Sequence, residues 1–180
     1  MNKSIILTTL FFTVTVLFFA VSPLGATPSK QTADPAEGFW LSVDEKSGKI
    51  TAGWHIYEES GKLFGKILSM ADLPKTTLAE KCKESYAGFP VAGKVNQMTV
   101  VGTPWIFGLV MNKPGEWING NVVNPEDGGI YKCKITLHPA DGKKFRADTL
   151  EMRGELGFGI GRSQFWKKTD QTTAESLGPR

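Results

Sequence analysis

Asn124-Pro125-Glu126-Asp127-Gly128-Gly129 followed by Ile130-Tyr131-Lys132-Cys133-Lys134-Ile135-Thr136-Leu137-His138 is a turn delivered into a strand. Pro presets φ, and Asp-Gly tolerates the positive φ of hairpin turns. Beyond the turn, Tyr131, Cys133, Ile135 and Leu137 alternate with Lys132, Lys134 and Thr136. Period two with apolar residues on one side describes a half-buried antiparallel strand, and it aims Cys133 at the core.

The same grammar runs outward in both directions. Gly38 to Val43 reads as a first strand, turned by Glu45-Lys46-Ser47-Gly48. Lys49 to Glu58 puts Ile50, Ala52, Trp54 and Ile56 on one face and Thr51, His55 and Tyr57 on the other, and Ser60-Gly61 leads into Lys62 to Met70. Further strands are expected at Val91 to Val101, Trp105 to Met111, Glu116 to Val123, Lys144 to Glu155 and Arg162 to Lys168, with the bends Pro139 to Gly142 and Gly157 to Gly161 between the later ones. Eight or nine short strands with mostly tight connections and no helical period predict an all-β domain with an antiparallel up-and-down meander. A meander of that length must close or fold over to hide its edges, so a β-barrel is expected, with a sandwich as the alternative. Gly53, Gly65, Gly108 and Gly120 inside strands fit the bending of a small barrel.

Residues 71 to 90 break the rhythm with two prolines and several lysines, a long excursion in which a helical turn fits and which Cys82 is placed to tie down. Cys82 and Cys133 are the two cysteines. A disulfide is the expectation in an oxidising compartment, closing a loop worth about 3 to 4 kcal/mol in the chain-entropy model. Two separate buried thiols are the alternative. Two cysteines with the distant His55 and His138 make no zinc-ligand spacing, so no metal is expected.

The amino terminus has its own pattern. Lys3 precedes an uncharged run from Ile5 to Val21, and Ser22-Pro23-Leu24-Gly25-Ala26 follows. A positive start, an apolar stretch and a small residue before the cut describe a secretory signal peptide over 1 to 26, with an uncleaved membrane anchor as the alternative. Export to the periplasm or the medium, with no stable membrane span after cleavage, is the resulting expectation. Residues 27 to 36 read as a flexible leader, 37 to 168 as one domain, and 169 to 180 as a polar tail. The formal net charge is +3 with lysines and acids interspersed, so a nucleic-acid partner is not expected.

Gly38-x-Trp40, Gly65-Lys66-Ile67, Trp117-x-x-Gly120-x-Val122-x-Asn124-Pro125-x-x-Gly128-x-x-Tyr131, Met152-Arg153-Gly154 and Gly161-Arg162-x-Gln164-x-Trp166-Lys167 occur in an order that resembles the DUF2147 family of small exported bacterial proteins. That family usually carries Asp at the place of Asn124, an aromatic at that of Glu155, and a close cysteine pair in the middle loop. The resemblance implies a lipocalin-like barrel, in which Trp40 closes one end and a basic residue of the last strand, Arg162 or Lys167, packs over it.

No nucleophile elbow, paired carboxylates or phosphate-cradling loop is present, so neither an enzyme nor a cofactor is expected. The aromatics Trp54, Trp105, Phe107, Trp117 and Tyr131 are the candidate lining of a ligand cavity, with a plain packed core as the alternative. Arg153, if inward, would meet a carboxylate or phosphate head by bidentate hydrogen bonds; if outward, it is a solvated charge. The expected function is noncatalytic binding of a small apolar or amphipathic, lipid-like ligand. The alternative is a structural or interaction module with a protein partner in the cell envelope.

Overall fold

The computed structural model describes residues 33–157 and 159–179. The expected signal peptide and most of the leader lie outside the described residues. Eight strands follow one another as β1 (Gly38–Val43), β2 (Ile50–Glu59), β3 (Lys62–Met70), β4 (Pro104–Lys113), β5 (Glu116–Val123), β6 (Ile130–His138), β7 (Thr149–Gly157) and β8 (Ile160–Thr169), with a short helix α1 (Gln171–Glu175) at the end. Every strand pairs antiparallel with its sequence neighbour. β1 pairs β8 through Phe39↔Thr169, Trp40↔Lys168 and Leu41↔Lys167, so the meander closes into a barrel without a free edge.

Local chemistry accounts for the connections. Ser60 and Gly61 both take positive φ, as a two-residue hairpin of the twist-matching kind requires. In the β5–β6 turn the Asn124 side chain accepts from the Glu126 amide at 3.1 Å and donates to Asp127 at 2.9 Å, while Asp127 accepts from the Gly129 amide at 2.7 Å. Gly128 has φ +73°, and a Cβ there would lie 2.3 Å from the Lys81 carbonyl oxygen, so only glycine fits. Gly120 is demanded by packing instead: a Cβ would fall 2.3 Å from Leu109 Cγ inside the barrel.

Four features depart from the expectations. Val91 to Val101 is not a strand. It lies in the connection between β3 and β4, with one 3₁₀ turn at Val95–Gln97 and an isolated bridge Leu78↔Thr99. β3 and β4 pair directly, so the ladder has no vacancy for this segment, and its amides bond locally, Val95 to the Glu84 carbonyl and Val100 to that of Thr77.

The excursion is tied down, but not by sulfur. Tyr86 Oη donates to the Gly128 carbonyl at 2.8 Å, and the Phe89 ring lies 6.0 and 5.3 Å from those of Trp105 and Phe107. Cys82 and Cys133 are free and buried, so the expected disulfide is not formed. Cys82 packs in the loop beside Gly128, whereas Cys133 sits within the barrel wall between Gly120 and Gly154. Burial pushes both thiols up, Cys133 furthest.

The polar tail holds α1. The Asp170 side chain caps it by accepting from the Thr173 amide at 2.9 Å, and Ala174 is fully buried against the barrel. Its backbone occupies the space beside Gly53, where a Cβ would lie 1.9 Å from the Ala174 carbonyl oxygen. The end of the leader is also anchored: Asp34 and Ala36 are buried, since Asp34 serves two indole- and amide-bearing elements described next.

Candidate functional site

The barrel has one sealed end and one open end. At the sealed end the Asp34 carboxylate accepts from Trp117 Nε1 at 3.0 Å, from the Gly115 amide at 2.9 Å and from the Ala36 amide at 2.9 Å. Trp40 Nε1 donates to the Ala36 carbonyl at 3.0 Å, so residues 34 to 36 form a plug held by two indoles. Lys168 Nζ stands 5.3 Å over the Trp40 ring, a cation–π contact. Trp40 thus closes an end as expected, but its basic cover is Lys168, its partner in the β1–β8 ladder, rather than Arg162 or Lys167.

At the other end a cavity of about 630 Å³ opens between the β1–β2, β5–β6 and β7–β8 turns. Its inner wall is Trp54, Ile67, Met70, Val122 and Met152, with the neutral polar residues Ser42, Thr51 and Gln164. Those polar groups are largely engaged by the protein itself. Ser42 Oγ accepts from Trp54 Nε1 at 3.2 Å and shares a 2.7 Å bond with Thr51, and Gln164 Oε1 accepts from Trp166 Nε1 at 3.1 Å. Trp54 stacks on Trp166 with centroids 4.8 Å apart, which fixes the cavity wall as a rigid aromatic surface. The charged lining groups are Asp44, Glu126, Asp127 and Arg162, which sit at strand ends and turns around the rim. Asp44 is held below the ordinary carboxylate range by hydrogen bonds from the Ser47 hydroxyl and amide. Arg162 Nε lies 3.7 Å from Glu45 Oε2, and its charge also helps hold Asp44 ionised.

The structure divides the expected ligand-binding residues. Trp54 and Tyr131 line the cavity. Trp117 belongs to the sealed end, where its indole N–H is bound to Asp34. Trp105 and Phe107 are elsewhere. Ile106 between them pairs with Val122 of the cavity wall, so alternation turns its two neighbours to the outer face. There they are buried under Phe89, and Trp105 Nε1 donates to the Val100 carbonyl at 2.7 Å.

Arg153 also faces outward, because its neighbours Met152 and Gly154 both line the cavity and its ladder partners are Lys134 and Ser163. Its Nε donates to Glu155 Oε1 at 2.6 Å and its Nη2 to the Gly159 carbonyl at 3.2 Å. The head-group role expected for an inward Arg153 is therefore corrected: the guanidinium at the cavity is that of Arg162. On the same outer face His138 Nε2 lies 2.8 Å from Glu151 Oε2, and the Ser163 hydroxyl donates to Glu151. Burial opposes ionisation of Glu151, but these two bonds outweigh it and hold its carboxyl below the ordinary range.

Sequence reasoning missed Asp34 and Gln164, and it considered Arg162 only as a cover for Trp40, not as a cavity residue. Gln164 and Arg162 had a legible signal, since they alternate with Ser163 and Phe165 in the final strand and share parity with the core Trp166.

Among solved structures, the chain is similar to the protein HP1028 of Helicobacter pylori, described as belonging to the lipocalin family. The identity is 16%, the match covers 77% of this chain and 85% of that one, and the TM-score is 0.59. At that identity the likeness concerns the fold, a closed eight-stranded lipocalin-like barrel. No curated protein matches the sequence. The family model for the uncharacterized proteins conserved in bacteria, DUF2147, matches residues 38–168, from the first residue of β1 to the penultimate residue of β8, and the chain belongs to that family.

Proposed function

We propose that this protein is an exported, noncatalytic binding protein that holds a small apolar or amphipathic, lipid-like ligand in the open end of its barrel. The observation that carries this reading is the asymmetry of the interior. One end is packed solid by Trp40, Trp117 and the Asp34 plug, while the other keeps a cavity of about 630 Å³ with an apolar wall and no charged group below its rim. Cavities of roughly 300 to 1,000 Å³ with apolar walls and a few polar groups are the usual ligand sites of such folds. Export rests on the sequence of residues 1 to 26. The lipocalin assignment of the Helicobacter protein is in keeping with a carrier role.

Native mass spectrometry of the protein purified gently from its own host, followed by organic extraction, tests the reading. A copurified amphiphile is the expected result. A ligand-free mass that stays unchanged on addition of a lipid panel would overturn it.

A further inference from the structure

Leu156 and Ile160 are 74% and 67% exposed, the two most exposed large apolar residues of those described. Both line the cavity opening. Leu156 is the extra residue of a β-bulge between Glu155 and Gly157, and Gly157 pairs with Ile160, so the two side chains flank the β7–β8 turn. Bulges commonly re-aim a side chain beside a functional site. The rest of the rim differs: Asp44 stands at the β1–β2 turn, Asn124, Glu126 and Asp127 at the β5–β6 turn, and Arg162 near the start of β8 beside the lip. The opening thus has one apolar lip and a polar circumference, leading to an interior whose wall carries no charge.

We infer that the ligand is a long-chain molecule whose buried end is uncharged, and that its chain leaves the barrel over the Leu156–Ile160 lip, which covers the emerging segment. The inference rests on the cavity reading above and names the ligand class and two specificity residues for that site. An ionised group inside would be stripped of water with no opposite charge to meet it, which the uncharged wall makes prohibitive. A chain confined to the interior would leave both lip side chains wet. A longer one removes apolar surface of its own and of the lip from water together, at about a fourfold gain in affinity per methylene covered.

The test is titration of the full mature protein with octanol and with hexadecanol, read by tryptophan fluorescence, since Trp54 stands in the wall. The Leu156→Ser/Ile160→Ser pair is compared with wild type and with Leu156→Met/Ile160→Leu, whose lip stays apolar. Both original side chains are exposed, so the melting temperature should not change, and it is measured alongside. Hexadecanol affinity should fall about tenfold or more in the serine pair, octanol affinity should stay within about twofold, and the conservative pair should restore the preference for the longer chain.

An unchanged hexadecanol-to-octanol ratio in the serine pair overturns the lip while leaving the cavity reading intact. So does a serine pair that keeps this ratio but no longer sediments with phosphatidylcholine vesicles that wild type binds, since the lip would then be a membrane contact. Absence of any wild-type response to either alcohol removes the cavity reading, and this inference with it.

Discussion

Replacing Asp34 by Ala should unseat the sealed end of the barrel. The carboxylate accepts three buried hydrogen bonds, and two of the donors, Trp117 Nε1 and the Gly115 amide, come from a part of the chain remote in sequence. Each buried donor left without an acceptor costs about 1 to 3 kcal/mol, so stranding these two should cost about 2 to 6 kcal/mol. That is a large fraction of the roughly 5 to 15 kcal/mol that stabilises a typical domain. For a domain of this size it corresponds to a fall of about 5 to 15 °C in melting temperature.

Thermal denaturation followed by near-ultraviolet circular dichroism reads both the temperature and the environment of the tryptophans. Asp34→Asn keeps an acceptor for Trp117 but replaces the oxygen facing Gly115 with a donor, so it should fall between wild type and Asp34→Ala. Trp117→Phe removes the indole donor, and in that background Asp34→Ala should cost about 1 to 2 kcal/mol less than it does in wild type. A melting temperature for Asp34→Ala within about 1 °C of wild type, or strict additivity of the pair, would refute the plug.

Gly53→Ala should release α1, because the added carbon would collide with the Ala174 carbonyl oxygen; protease cleavage within residues 170–179 should become fast while the barrel core stays protected. Cys82 and Cys133 should resist alkylation in the folded protein and react once it is unfolded, and the intact mass should be the same with and without reductant. Burial, aided by Lys66 and opposed by Glu37, depresses the pKa of His55 below its ordinary 6.5. The unfolded chain therefore takes up that proton first, so stability is fully present above the ordinary value and is lost as the pH falls toward the folded one. His55→Phe should flatten that part of the pH–stability profile, measured by urea denaturation.

Much of the barrel was legible because its strands obey one rule each. β6 alternates cleanly, β2 does so apart from a register shift at Gly53, and Ser60-Gly61 and Asn124 to Gly129 carry turn chemistry that admits few other readings, so these elements match the expected ones closely. Arg153 was also legible: in Leu150-Glu151-Met152-Arg153-Gly154 the charged residues hold the odd places and the apolar ones the even, which sends the guanidinium outward. Trp105-Ile106-Phe107 was not, since three apolar residues in a row show no parity, and what buries the outer two is a loop whose path no periodicity describes.

Val91 to Val101 has the composition of a strand, but strand formation needs a partner, and β3 and β4 already pair with each other. Asp34 illustrates the opposite case. Nothing near it in sequence marks it as buried, because its donors come from Gly115 and Trp117, on the far side of the chain.

The central claim is that the ligand occupies the open end of the barrel, and Gly154→Leu tests it most directly. Gly154 lines the cavity, and a Cβ there would meet Tyr131 and Val122 at 3.6 and 3.8 Å, ordinary contact distances, so the leucine should enter the cavity without straining the wall. Binding of hexadecanol, measured by tryptophan fluorescence, should weaken about tenfold or more while the melting temperature holds or rises. Undiminished binding in a folded Gly154→Leu protein would contradict the account and place any ligand outside the barrel.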